Sequence, residues 1–139
     1  MVVADGEGFT RVVTVRVSGA RTPAEARRVA DTIATSPLVK TAFAGGDPNW
    51  GRVMMAAGRS GVEFDQSRLA LWIAQPNAPE LQLARDGMPT EYRESDAAAI
   101  FAQPEFTVHL DLCHGPAEAS LWTTDLTHGY VSINADYRT

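Results

Sequence analysis

Apolar and polar positions alternate through residues 9–17. Val13, Val15 and Val17 fall on one side, and Val12, Thr14 and Arg16 on the other. β-Branched residues at a period of two predict a strand with one buried face, and Gly19 is expected to end it. The period then changes. After Thr22-Pro23-Ala24-Glu25, residues Ala26, Val29, Ala30, Ile33 and Ala34 share one helical face, while Arg27, Arg28 and Asp31 take the other. Thr22 is placed to cap this helix, Pro23 suits its first position, and Glu25 can close a capping box. Ser36-Pro37 predicts the exit, because a residue before proline avoids helical angles.

Residues 38–44 are short and apolar apart from Lys40 and predict a second strand. Gly45-Gly46-Asp47-Pro48 then opens a second helix, with Asp47 as N-cap and Pro48 first inside. Trp50, Val53, Met54 and Ala57 share its face, and Gly58 and Gly61 close it. Residues 68–73 read as a strand. Residues 75–92 carry Pro76, Pro79, Pro89 and the turn Asp86-Gly87, which predicts a loop with one edge strand over 80–84. Residues 94–103 read as a helix capped by Glu94 or Ser95. Residues 106–112 alternate as a strand, His114-Gly115-Pro116 turns the chain, and 117–124 form the returning strand. This order predicts an α/β (α+β) fold, with helices packed on a mixed sheet. No linker interrupts it, so residues 1–139 are expected to form one domain.

Composition narrows the function classes. The chain has 139 residues, 45% hydrophobic and 21% charged, the balance of an ordinary soluble domain. Its net charge of -5 argues against a nucleic-acid partner, which would need a basic face. No polybasic or spanning segment points to a membrane. One cysteine, Cys113, cannot form an internal disulfide and suits a reducing compartment. The start of the chain lacks a signal-peptide pattern, so a cytoplasmic location is expected.

Three stretches carry a resemblance. The first is Asp5-Gly6-Glu7-Gly8 with the valine strand and Ala24-Glu25-Ala26. The second is Ser36-Pro37-Leu38-Val39-Lys40-Thr41-Ala42, running on to Asp47-Pro48-Asn49-Trp50-Gly51-Arg52. The third is Asp125-Leu126-Thr127, then Tyr130-Val131, then Ile133-Asn134-Ala135-Asp136-Tyr137-Arg138-Thr139. In order and spacing they resemble the ornithine acetyltransferase (glutamate N-acetyltransferase) family of arginine biosynthesis. The chain departs from the family at Cys113-His114-Gly115-Pro116, at Gly45-Gly46 and over residues 75–92. The resemblance covers the C-terminal part of the family's second, beta chain and places it within a larger layered α/β enzyme fold. It implies acetyl transfer from N-acetylornithine to glutamate through an acetyl-threonine. The family's threonine nucleophile, oxyanion-hole residues and first-chain lysine lie upstream of the Asp-Gly-Glu-Gly motif, so no catalytic residue is assigned in this chain.

What the chain is expected to supply is recognition of small amino-acid substrates. Glu7, a carboxylate in a glycine turn, can face an ammonium group, and by resemblance it matches a substrate-binding glutamate. Asn134 offers amide donors and an acceptor, Thr139 a hydroxyl and a terminal carboxylate, and both match the family's terminal binding residues. Asp47 to Arg52 reads as capping and packing, with anion binding at a helix N-terminus as the alternative. His109, His114 and His128 lack metal-ligand spacing, and His109 reads as solvated on the polar face of its strand. Cys113 lacks an activating neighbourhood. No cofactor is implied, since Gly45-Gly46 lacks a nucleotide-binding pattern. The expected partners are the N-terminal portion of the enzyme (the alpha chain and the nucleophile-bearing start of the beta chain) and further copies through self-association. The alternative is a stand-alone, non-catalytic fragment or assembly module.

Overall fold

Val13, Val15 and Val17 are fully buried in strand β1 (Val12–Ala20), as their period of two requires. The computed structural model describes residues 11–125. Along them follow helices α1 (Pro23–Thr35), α2 (Pro37–Ala44) and α3 (Trp50–Gly58), a 3₁₀ turn at Gln66–Arg68, and strands β2 (Ala70–Ala74), β3 (Leu81–Arg85) and β4 (Met88–Pro89). Helix α4 (Glu94–Phe101) and strands β5 (Glu105–Asp111) and β6 (Ala117–Thr124) complete the described residues. The strands form one six-stranded sheet in the order β4-β3-β2-β5-β1-β6. β1 runs parallel to β5 and antiparallel to β6, so the sheet is mixed and the fold is the expected α+β.

All four helices contribute to one core cluster with the inward strand residues. In register, Val13, Val15 and Val17 stand beside Phe106, Val108 and Leu110, and Leu71 and Ile73 stand beside Leu110 and Val108. Ala26, Val29, Ala30, Ile33 and Ala34 of α1 are buried over them. Phe43 of α2 and Phe101 of α4 meet Phe106, with Phe43 edge-on at 5.7 Å and Phe101 stacked at 4.5 Å. The opposite sheet face carries Thr14, Arg16, Trp72, Thr107, His109, Ser120 and Trp122, row beside row, and no described helix lies over it.

Several local expectations change. Residues 38–44 form a helix, α2. Ser36 ends α1 and also caps α2, its Oγ accepting from the Val39 N–H at 3.3 Å. The polar-proline pair therefore starts a helix here, as Thr22-Pro23 does for α1. Val39, Ala42 and Phe43 are buried at helical spacing. Gly19 does not end β1; at φ 72° it sits in an irregularity between Val17 and Ala20. A side chain there would meet Asp111 Oδ1 and the Cys113 N–H within 2.5 Å. Thr22 caps α1 as expected, accepting from the Glu25 N–H at 3.1 Å, but the Glu25 carboxylate turns to Arg21, 3.5 Å away.

The cap of α3 is Asn49, not Asp47. Arg93 precedes α4 without any side-chain cap. β3 is an inner strand, and the edge falls to two-residue β4. Asp86 and Gly87, both at positive φ, make the tight turn that a two-residue hairpin requires. The returning strand β6 pairs antiparallel with β1, and its Leu121 is fully buried.

Candidate functional site

The expected substrate-binding residues Glu7, Asn134 and Thr139 lie outside the described residues. What can be built is the corner from which their segments depart. Arg11 and Asp125, the first and last described residues, are joined twice through the backbone. The Arg11 N–H donates to Asp125 Oδ1 at 2.7 Å, and the Asp125 N–H donates to the Arg11 carbonyl at 3.2 Å. The guanidinium adds an ion pair at 3.4 Å and donates to the carbonyls of Phe101 (3.0 Å) and Ala44 (3.1 Å). One arginine thus ties β1, the end of α2, the end of α4 and the exit of β6 together. Asp125 is 6% exposed and Arg11 16%. Removing one partner of such a pair strands a charge out of water, at a cost of about 3–5 kcal/mol.

Lys40 lies beside this pair. It projects from α2 toward β6 and is buried. Its Nζ donates to the Thr124 carbonyl and to Thr123 Oγ1. Thr123, fully buried, passes its own hydroxyl proton to the Ala34 carbonyl at 3.1 Å. Burial pulls the ammonium below its ordinary pKa of 10.5, and the Asp125 charge acts in the opposite direction. Lys40, Thr123 and Asp125 make up half of the described buried polar residues, which marks this corner as the place where the core accepts polarity.

The loop after α2 borders the same corner. Gly45, Gly46 and Asp47 donate their N–H groups to Thr41, Phe43 and Ala42 carbonyls, closing the helix end. Asn49 Oδ1 accepts from the Arg52 N–H at 3.2 Å, and the Arg52 guanidinium donates to the Leu38 carbonyl at 3.0 Å. The motif from Asp47 to Arg52 therefore braces α3 against α2. Both Asn49 and Arg52 are engaged by the fold, which favours the packing reading.

His109 corrects another expectation. It is 9% exposed, not solvated. Its Nδ1 lies 3.1 Å from Glu80 Oε2 and its Nε2 2.8 Å from Ser18 Oγ. Because a carboxylate only accepts, Nδ1 donates to Glu80, and Nε2 shares the second hydrogen bond with the Ser18 hydroxyl. Trp72 stacks on the ring at 5.0 Å. This chain buries a histidine by satisfying both nitrogens on the open sheet face.

A groove of about 460 Å³ lies past the opposite end of β1, lined by residues that include Arg21, Glu63, Asp65 and His114. Two side chains of its lining bond to neighbouring backbone: Arg21 donates to the Glu63 carbonyl at 2.5 Å, and His114 Nε2 accepts from the Asp65 N–H at 2.7 Å. Two hydrogen bonds from Ser67 lower the Asp65 pKa. Cys113 has its thiol pushed up, by desolvation first and then by Asp111, which fits an unreactive thiol. Among the described residues no group of three or more His, Cys, Asp or Glu could hold a metal, and no helix is long and apolar enough to cross a membrane.

Sequence reasoning missed Arg11, Lys40, Thr123 and Asp125 as a unit. The one available signal was Lys40, a cation inside an otherwise apolar stretch. Its partners lie more than eighty residues away, and no local pattern encodes them.

Comparison with known proteins follows the same lines. The model of the ArgJ family matches residues 1–139. The chain is 43% identical over 138 residues to an arginine biosynthesis bifunctional protein ArgJ of Chlorobaculum tepidum, covering 99% of this chain and 33% of that protein. It is 46% identical to the corresponding protein of Ruegeria pomeroyi, with the same coverage. The crystal structure of the arginine biosynthesis bifunctional protein argJ from Bacillus halodurans superimposes with a TM-score of 0.78 at 35% identity, covering 90% of this chain and 57% of that one. The chain spans about a third of the length of the curated relatives it matches.

Proposed function

The chain belongs to the ArgJ family, and from that premise we propose that it is the substrate-recognition portion of an acetyltransferase of arginine biosynthesis, corresponding to the C-terminal part of its beta chain. The acetyl group moves from N-acetylornithine to glutamate through an acetyl-threonine. Covalent transfer divides a difficult exchange into two easier steps, and fixed donors are needed where the carbonyl oxygen gains charge. The threonine and those donors belong to the N-terminal portion. This chain supplies Glu7 for the substrate ammonium, and Asn134 and Thr139 for the polar groups of the amino acid.

The observation that carries this reading is the closure of Arg11 on Asp125. Glu7 stands four positions before Arg11 in the sequence. The segment bearing Asn134 and Thr139 leaves from the same corner. A single locus from which both segments start is what a shared binding wall needs.

The test is reconstitution. The 139-residue chain alone is expected to transfer no acetyl group, and mixing it with the N-terminal portion is expected to restore exchange between acetylornithine and glutamate. Failure of restoration with both parts folded would favour a non-catalytic module. In the complete enzyme, Glu7→Ala should lower kcat/KM by about 10- to 100-fold, the value of one charge-assisted hydrogen bond, with an unchanged melting temperature. A large fall in melting temperature with intact kinetics would make Glu7 structural.

A further inference from the structure

We propose that Ser18, His109 and Glu80 form an acyl-accepting site, in which Ser18 Oγ takes the acyl group of a small activated ester. This inference makes no use of the substrate reading above. Three observations lead here. First, the three side chains meet on the open sheet face, each brought by a different element: Ser18 by β1, His109 by β5, and Glu80 by the segment leading into β3. Ser18 Oγ lies 2.8 Å from His109 Nε2, and Glu80 Oε2 lies 3.1 Å from Nδ1. A serine nucleophile needs that order: a base within hydrogen-bond reach, and a carboxylate on the far nitrogen of the base. Burial alone would be satisfied by any polar partner at either nitrogen. Second, the base is held. His109 is buried, Trp72 stacks on its ring at 5.0 Å, and both nitrogens are engaged, so Nε2 is aimed before any substrate arrives. Third, the backbone at the nucleophile is pinned. Gly19 follows Ser18 at φ 72° in the irregularity of β1. The carbonyls of Ser18 and Gly19 accept from the Leu112 and His114 N–H groups at 2.9 and 2.6 Å. Ser18 itself is only half-buried.

The neutral ring, with Nδ1 donating to Glu80, leaves Nε2 as an acceptor. Ser18 Oγ bonds to the acyl carbon while its proton passes to Nε2, and the Glu80 carboxylate balances the imidazolium. The bond from the acyl carbon to the leaving oxygen then breaks with its electron pair, and that oxygen takes the proton from Nε2. Water repeats the sequence on the acyl-serine and releases the carboxylic acid. The substrates are esters with a good leaving group, which need the least help from donors to the oxyanion; amides such as acetylornithine, with a poor one, are not.

The experiment treats the full 139-residue chain with p-nitrophenyl acetate. A burst of p-nitrophenolate is expected, and mass spectrometry of the peptides should place the acetyl group on Ser18 and not on Ser120, which shares the sheet face. Ser18→Ala should remove the burst. His109→Gln should slow acetylation of Ser18 by about 100-fold or more, the share of a general base. Glu80 is a positioning residue. Glu80→Gln should lower the acylation rate constant with the saturation constant and melting temperature little changed, and Glu80→Asp should recover part of the rate. The loss at Glu80 should be the smaller one, because its side chain is 43% exposed and water screens it. Absence of acetyl on Ser18, equal acetylation of Ser120, or an unchanged rate in Glu80→Gln would each overturn the proposal. So would a burst that survives Ser18→Ala, which would make His109 itself the nucleophile. If His109→Gln fails to fold, Ser18→Ala and Glu80→Gln decide by the same readouts. The substrate-recognition reading is decided by reconstitution, whatever the result here.

Discussion

Two buried groups show how much a single side chain can settle. His109 occupies a strand position that alternation assigns to solvent, yet Trp72, Ser18 and Glu80 enclose it. His109→Leu should therefore destabilise the protein by about 1–3 kcal/mol, from the lost ring stacking and hydrogen bonds. The check is a lower urea midpoint with an unchanged slope. Lys40 makes a prediction in pH. Its folded-state pKa lies below the unfolded value of 10.5. Between those two values the unfolded chain binds more protons than the native one, so Lys40's contribution to stability rises with pH across that window. Below it the buried charge is a constant cost. Urea unfolding of the native protein and Lys40→Met should thus give a stability difference that moves in the native protein's favour as pH climbs toward 10.5; a pH-independent difference would contradict it. Neither environment was legible in the sequence. Each depends on contacts between strands or helices distant along the chain, which a period of two cannot report.

Elements were more legible where their signals are local. Helix α1 was readable because its cap, its proline and its apolar stripe are all local and agree. Helix α2 is hard to read because a short, largely apolar run fits a buried strand as well as a helix, and Ser36-Pro37 signals an ending and a beginning alike. The structure gives that serine both duties. Ser36→Ala should cost about 1 kcal/mol, the usual value of a lost N-cap, and chiefly loosen α2. Hydrogen exchange at Val39 and Lys40 amides should accelerate more than exchange in the middle of α1. Equal acceleration throughout α1 would place the loss in its C-terminal end instead. Strand pairing was the least legible element property, since alternation identifies a strand without naming its neighbour. That is why the returning strand could be given no neighbour from the sequence, and why the edge expected at residues 80–84 belongs to β4.

At the scale of the whole molecule, the described helices all pack on one face of the sheet. All four described helices share a single core with the inward residues, while Trp122 is 50% exposed beside Thr14 on the other side. Exposed aromatic surface of this kind promotes association. The isolated 139-residue chain is expected to self-associate, and Trp122→Ser should shift it toward monomer in sedimentation velocity with little change in melting temperature. An unaltered distribution would move the contact elsewhere. The fold class was legible because it follows from the sum of many patterns. The proposed site residues Glu7, Asn134 and Thr139 rest on motif resemblance alone, because they fall in the two end segments, outside the described residues and outside the periodic body.

The Arg11–Asp125 closure also bears on how such a body sits within a longer polypeptide. Arg11 and Asp125 are hydrogen-bonded neighbours, so the described body starts and finishes at one corner. Neighbouring ends of this kind are what make circular permutation and domain insertion tolerable.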